Sequence, residues 1–591
     1  MYETRLARVF TLFACCLGAL AVRAFTLQVA DRENVLRRHD ERIHGRFVVA
    51  PRRGEIQWRD GGPIASDAPG FSVQIDVDAF LAPRWRCGVC AAVTRRNAEP
   101  DRCPDCGAEH SAQFVPPPDS AALARLCGVT ETELGDALLA ADADHAAHPE
   151  YGRHELFESV DRDAAVAVAL AAQRFPGVTV KARARRSADD AARLVAGKLR
   201  DPRREDVETL TAADREANGL RHYSLGEVYA MRFGQSGLEA AFDEVLRGDP
   251  GTSRRAPRKG GHVQPPIVVV PVADGAALRT TLRRDVQLVA EDVVAAEPDA
   301  VAAAAVVIDL SDGGVVALSG RSADGYHHAV CAIRPGSVFK LVTSLALLES
   351  GISPDERITC AGTHPPHDLY KCDENHGDLS FRDAFAESCN TYFAKMAERV
   401  GTDAMLRAYR ELGFDDNSYL HLNGSASGLA PRWGDGSKWY AADLAKLGIG
   451  QGKALVSPLQ VALAYARVAT GGRRLTPYLV DEEVPPAPDI DASIARFAPL
   501  ICDAARRVVT SGTGHNVPAL DAIEAAGKSG TGDVVAGKNG EAGKLNNAWF
   551  VAFAPASRPR YAAVVVYERI GQHGATASGP QVARLLAEAL K

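Results

Sequence analysis

Ser337 and Lys340 stand three residues apart in the stretch Arg334-Pro335-Gly336-Ser337-Val338-Phe339-Lys340, which runs on into an apolar segment at 341–348. Pro335-Gly336 predicts a turn, and the apolar run, stopped by Gly351, predicts a buried helix. Ser337 then sits in the helix's first turn, with Lys340 one turn on and on the same face. A serine hydroxyl is a poor nucleophile until a base takes its proton, and a desolvated lysine can be that base. The helix N-terminus adds a backbone N–H and a positive dipole end where an oxyanion would develop.

S-x-x-K alone occurs by chance in long chains. Here two further stretches follow it in order: Ser388-Cys389-Asn390, and Lys528-Ser529-Gly530-Thr531-Gly532 ahead of a strand-like run at 547–553. The succession S-x-x-K, S-x-N, K-[ST]-G resembles the signature of serine acyltransferases that recognise penicillin. More narrowly, the chain resembles the class B penicillin-binding proteins of the elongation-type branch. The resemblance implies that Ser337 Oγ attacks the D-alanyl-D-alanine carbonyl of a peptidoglycan stem peptide. Lys340 would be the general base, kept partly neutral by burial and by Lys528. Ser388 would relay a proton to the leaving amine, and Asn390 would hydrogen-bond the acyl amide and Lys340. Lys528 would supply charge, and Ser529 would help to hold the substrate carboxylate. Backbone N–H groups of Ser337 and Thr531 would form the oxyanion hole. Gly530 is expected to keep room for substrate along the strand, and Gly532 stands where the family commonly has Ala. The acyl-enzyme passes to an amine of a neighbouring stem, β-lactams compete for the same serine, and the chemistry needs no cofactor.

The elements that must position these residues set the fold expectation. A chain of 591 residues with 46% hydrophobic content holds two or three domains with real cores. A net charge of −7 offers no electrostatic footprint for nucleic acid. Residues 9–22 carry no charge, and apolar sequence resumes after Arg23 up to Ala30. With Arg23 snorkelling, the stretch is long enough for one span, and Arg5 and Arg8 place its N-terminal side in the cytoplasm. A cleaved signal peptide is the other reading, and Leu12-Phe13-Ala14-Cys15 loosely mimics a lipoprotein site. The expected fold is α+β: residues 1–30 a tail and membrane anchor, 31–270 a pedestal, and 271–591 a transpeptidase domain with an antiparallel sheet flanked by helices. The catalytic domain would lie outside the cytoplasmic membrane on a single-pass anchor.

Within the pedestal, 51–65 reads as a β-hairpin similar to the family's R-G-x-I block, and 71–77 as the next strand. Phe233 to Gly248 matches its G-x-S-G-L-E…L-x-G block, 248–266 reads as a connector or exposed hairpin, and 120–200 as amphipathic helices. In the catalytic part, 303–310 with 315–318 reads as a hairpin, and 447–452 resembles G-I-G-Q-G.

The twelve cysteines are clustered. Cys87, Cys90, Cys103 and Cys106 form C-x2-C…C-x2-C, a zinc-ribbon pattern inserted at about 84–110 where the family would continue with a helix. Paired disulfides are the alternative, favoured by export. Elongation-type relatives have a His-Gly and a Cys inside S-x-N, and some hold zinc there with carboxylates. The resemblance therefore implies a second structural zinc on Cys360, Cys372, His376 and Cys389. A Cys360–Cys372 disulfide, or substitution of one ligand by His364 or His367, remains open.

As partners, the resemblance implies stem peptides, a SEDS-type glycosyltransferase and other elongation proteins, with no nucleic acid. Two other classes compete: a β-lactam sensor or serine β-lactamase on the same fold, and a non-catalytic cell-wall scaffold. A long pedestal and single anchor argue against the first, and three intact motifs argue against the second.

Overall fold

The computed structural model describes residues 46–591 apart from 69, 82–83, 88, 91–92, 96–101, 104–105, 107, 110–111, 116–118, 148–153, 183, 213–219, 255, 257–265, 323–326, 363–371, 373, 417–419, 421–438, 453 and 534–544. The expected anchor at 1–30 lies outside the described residues, among which no helix is long and apolar enough to cross a membrane. The chain forms two compact units, 65–188 and the remainder.

The larger unit is organised by a five-stranded antiparallel sheet. Its strands are β1 (Ala302–Asp309), β2 (Val315–Ser322), β3 (Ala526–Asp533), β4 (Asn546–Ala554) and β5 (Tyr561–Ile570), in the order β2-β1-β5-β4-β3. The register sets Val306 opposite both Leu318 and Val564, and Gly530 opposite Trp549. β1 and β4 are buried along their whole length. That accounts for the apolar runs 302–308 and 548–554 within them, because a strand covered on both faces has no solvent side to alternate toward. One face packs on the helices Arg284–Ala295 and Gly579–Leu590 through Val286, Ala290, Val582 and Leu586. The helix Pro458–Ala469 also packs on β1, β4 and β5. The expected hairpin at 303–318 is β1 and β2.

The two pedestal blocks of this unit meet in a buried ion pair. Arg53 Nε lies 2.5 Å from Glu239 Oε2, and Arg53 Nη2 lies 2.8 Å from Asp243 Oδ1. A Cβ on neighbouring Gly54 would stand 1.8 Å from the Ala276 carbonyl oxygen, so only glycine fits there. Within 248–266, Gly251–Arg254 is a strand that pairs antiparallel with Ile267–Val270 beyond it.

The smaller unit corrects one expectation. Helices Ser120–Cys127, Glu131–Ala147 and Arg162–Leu170 occur as read, but 120–200 is not helical throughout. His154–Val160 and Val178–Ala182 are strands flanking Phe71–Ile75 on either side. Pairing with a strand some 80 residues away decides this, and an Ala-rich local window does not reveal it. The ribbon segment forms its own three-stranded sheet of Arg84–Cys87, Val93–Arg95 and Ala112–Val115.

Candidate active site

Ser337 lies in a 3₁₀ turn, Gly336–Phe339, and Lys340 opens the α-helix Lys340–Glu349. The sequence places Ser337 in the helix proper; the tighter turn instead stacks residues i and i+3, which brings Ser337 and Lys340 onto one face. Two close approaches impose this turn. Gly336 has φ +57° and a Cβ there would lie 2.6 Å from the Thr531 carbonyl oxygen of β3. Gly450 packs so tightly that its Cβ would stand 1.8 Å from the Gly336 carbonyl oxygen, and the Gly336 N–H donates to Gly450 O at 3.0 Å. The Arg334 carbonyl, just before the turn, accepts from Trp549 Nε1 at 2.9 Å, and Val338 O accepts from Tyr465 Oη at 3.0 Å. The turn that carries Ser337 is thereby bolted between β3, β4 and Gly450.

Lys340 is fully buried, and its Nζ donates to Ser388 O at 2.5 Å, Asn390 Oδ1 at 2.7 Å and Ser388 Oγ at 3.1 Å. Ser388 has φ +54°, a left-handed conformation that costs a non-glycine residue about 1–3 kcal/mol and persists only where surrounding contacts hold it. The S-x-N motif is thus bent to aim its carbonyl, hydroxyl and amide at one amine.

Lys528 is also fully buried. Burial, and then the charge of Lys340, push its pKa well below the ordinary lysine value. The sequence reading has Lys340 partly neutral under the influence of Lys528; in the structure Lys340 in turn disfavours the charged form of Lys528. Its Nζ donates to Ser529 O at 2.9 Å.

A Cβ on Gly530 would meet Val338 Cγ1 at 2.9 Å and Pro335 O at 3.1 Å. Glycine there makes room for the protein's own turn that carries Ser337. A Cβ on Gly532 would meet Arg334 O at 3.2 Å, so the alanine common at this position would press on that carbonyl.

The five strands, the buried S-x-x-K turn and the facing S-x-N and K-S-G segments agree with the family comparisons. Residues 303–590 match the penicillin-binding protein transpeptidase domain, and 48–280 the penicillin-binding protein dimerisation domain. The chain belongs to the class B penicillin-binding proteins. It is 27% identical to the penicillin-binding protein PbpB of Mycolicibacterium smegmatis over 58% of this chain and 60% of that protein. It is likewise 27% identical to the peptidoglycan D,D-transpeptidase MrdA of Acinetobacter baumannii over 58% of each. The matched region thus spans about three fifths of the length of these relatives. A solved penicillin-binding protein of Helicobacter pylori, determined in complex with MreC, shares the fold with a TM-score of 0.66 at 18% identity, over 92% of this chain and 98% of its own.

In this penicillin-binding protein the two predicted cysteine sets each converge. Cys87, Cys90, Cys103 and Cys106 place their sulfurs within 4.8 Å of one another, with Cys87–Cys106 at 3.7 Å and Cys90–Cys103 at 3.6 Å. Cys360, Cys372, His376 and Cys389 do the same. Here Cys360–Cys372 is 3.6 Å, Cys372–Cys389 is 3.9 Å and Cys360 Sγ to His376 Nδ1 is 3.5 Å. A zinc tetrahedron with bonds of about 2.3 Å has edges of about 3.8 Å, whereas a disulfide needs about 2.05 Å. Both sets fit a metal. The Asn390 N–H donates to Cys372 Sγ at 3.2 Å, which ties the second set to the S-x-N motif. His364 and His367 lie outside the described residues.

Thr513 escaped the sequence reading. Its hydroxyl lies 2.7 Å from Ser529 Oγ, and its N–H donates to Ala386 O at 3.1 Å. The only available signal was the Gly-rich turn Ser511-Gly512-Thr513-Gly514 between a helix and β3.

Proposed function

We propose that this chain is a membrane-anchored serine D,D-transpeptidase that cross-links peptidoglycan stem peptides and is a target of β-lactams. The observation that carries this reading is Lys340, fully buried three residues after Ser337 and held by Ser388 and Asn390. Ser337 Oγ attacks the penultimate D-Ala carbonyl and passes its proton to Lys340. Two buried amines in one site hold a single proton between them, and the microstate with Lys340 neutral is the reactive one. The tetrahedral oxyanion is received by the Ser337 and Thr531 N–H groups, each worth roughly a hundredfold in rate. Ser388 returns a proton to the leaving D-Ala amine, leaving an acyl ester on Ser337. A stem-peptide amine then attacks the ester and restores the serine. Lys528 and the Ser529 hydroxyl bind the substrate carboxylate, and Gly530 lets β3 approach the turn.

The domain division 1–30, 31–270 and 271–591 is part of this proposal, as are the elongation role, the single-pass cytoplasmic-membrane location and a SEDS-type glycosyltransferase partner. MreC-like elongation proteins are a second partner class, supported by the complex in which the Helicobacter pylori protein was solved. Cys87, Cys90, Cys103 and Cys106 would hold one zinc, and Cys360, Cys372, His376 and Cys389 a second. Closed four-ligand sets leave no open position, so bound zinc would cross-link chain segments and take no part in the reaction.

The test is covalent labelling by a fluorescent penicillin with mass-spectrometric mapping. The adduct is expected on Ser337, and both Ser337→Ala and Lys340→Ala abolish it in folded protein. Labelling that survives in both variants removes the mechanism.

A further inference from the structure

We propose that Cys360, Cys372, His376 and Cys389 form a thiol redox switch, opened by hydroperoxides, that turns the acylation site off. The proposal rests on the zinc reading of this cluster and on the catalytic role of Asn390.

Three of the four donors are sulfurs, and sulfur ligands can be oxidised where oxygen or nitrogen ligands cannot. The sulfurs of Cys360 and Cys372 stand 3.6 Å apart, so forming a bond between them requires closing roughly 1.5 Å. The third sulfur has less freedom. Cys389 caps the helix Asn390–Glu411, accepting from the Tyr392 N–H at 3.4 Å. Cys360 and Cys372 are therefore the pair that closes.

The cluster is wired to the chemistry by one hydrogen bond at each step. Cys372 Sγ accepts from the Asn390 N–H at 3.2 Å, and Asn390 Oδ1 accepts from Lys340 Nζ at 2.7 Å. Thr391 Oγ1 lies 3.4 Å from Cys360 Sγ and 3.6 Å from Cys372 Sγ. The intervening turn is held at the left-handed Ser388, a conformation that depends on the contacts around it. Withdrawing the Cys372 sulfur removes the acceptor of the Asn390 N–H, and releasing the metal frees the segments that hold the turn.

The step balances as follows. The Cys372 thiolate attacks a peroxide oxygen, breaking the O–O bond to give a sulfenic acid and hydroxide. The Cys360 thiolate then attacks the Cys372 sulfur and expels a second hydroxide. The two cysteines lose two electrons, the peroxide gains two, and Zn²⁺ leaves with His376 and Cys389 as its only remaining ligands. A dithiol reverses the step by thiol–disulfide exchange, giving two electrons back to the cysteine pair and leaving as its own disulfide.

The experiment uses the full chain, with zinc content, cysteine mapping and penicillin acylation measured before and after hydrogen peroxide. The expected result is two zinc ions per chain at the start and loss of the Cys360-set zinc together with a mapped Cys360–Cys372 disulfide. Acylation falls by about tenfold or more, and a dithiol with added zinc restores it. In Cys360→Ser the reaction stops at a Cys372 sulfenic acid that dimedone traps. Cys360→Asp with Cys372→Asp supplies oxygen ligands, keeps the metal and leaves acylation insensitive to peroxide. A chain that keeps both zinc ions, or loses acylation with no disulfide in this cluster, overturns the switch. A chain holding only the ribbon zinc before any oxidation overturns the metal reading on which it rests.

Discussion

Thr513 Oγ1 lies 2.7 Å from Ser529 Oγ, joining the 511–514 turn to the K-S-G strand. The same turn is pressed against the segment that leads into S-x-N, because a Cβ on Gly512 would stand 2.3 Å from Ala386 O. Thr513→Val keeps the shape and removes one hydroxyl partner. Acylation should slow by about tenfold, the equivalent of a hydrogen bond worth roughly 1–1.5 kcal/mol. Thr513→Ser should recover most of the rate. Equal rates in Val and wild-type enzyme would show that the contact is idle.

Gly450 is a second lever on the nucleophile. Its φ is +74° and its Cβ would overlap the Gly336 carbonyl oxygen at 1.8 Å. Gly450→Ala must displace backbone, and backbone does not give way as a flexible side chain does. We expect a stability loss of about 1–3 kcal/mol together with a sharp fall in acylation, read by thermal melting and penicillin stoichiometry. A variant that melts and acylates as wild type does would show that the loop yields.

Arg53 and Glu239 are both buried, so removing Arg53 takes away the guanidinium that faces a buried carboxylate. Arg53→Met should cost about 3–5 kcal/mol, and a denaturant titration measures it. Arg53→Met with Glu239→Leu should recover much of the loss, since the pair itself contributes little beyond an apolar replacement.

His328 makes stability depend on pH. Burial opposes its charge, but the neighbouring Cys331 thiol and the Glu568 carboxylate, 3.1 Å from Nε2, outweigh it and raise its pKa to about 9 from an ordinary 6.5. A raised imidazole pKa means that the folded state binds the proton more tightly. Its stabilisation is complete below about pH 6.5 and is lost as pH rises through about 9. Adjacent His327, pushed down to about 4 chiefly by burial, stays neutral across this window. The melting temperature should fall from pH 6.5 to 9.5, and His328→Gln should flatten the fall. A parallel fall in the variant assigns the effect to other groups.

The ribbon cysteines should carry one structural zinc. Replacing Cys87 and Cys90 with serine should remove one equivalent and loosen the 84–115 sheet while leaving penicillin acylation unchanged. Elemental analysis that finds no metal, with two mapped disulfides at Cys87, Cys90, Cys103 and Cys106, refutes it.

Ser337 and Lys340 could be placed on one face from their spacing alone, because helical and 3₁₀ turns bring i and i+3 together without help from the rest of the chain. The ribbon motif was legible for a similar reason, since the short C-x2-C spacing keeps each pair of sulfurs within reach of one metal ion. The apolar runs of β1 and β4 announced buried strands. Long-range packing decided the rest. Cys360, Cys372 and Cys389 converge across 29 residues. Gly530 answers to Val338, almost two hundred residues away, and Thr513 meets Ser529 across the join between a turn and a strand. The strands His154–Val160 and Val178–Ala182 exist because Phe71–Ile75 pairs with both. The lowered pKa of Lys528 likewise came from the closed chain, first through burial and then through the nearby charge of Lys340. Local dihedral preference and side-chain period are written into any short window of sequence. Burial, close approach and charge coupling are properties of neighbours that only the closed chain supplies.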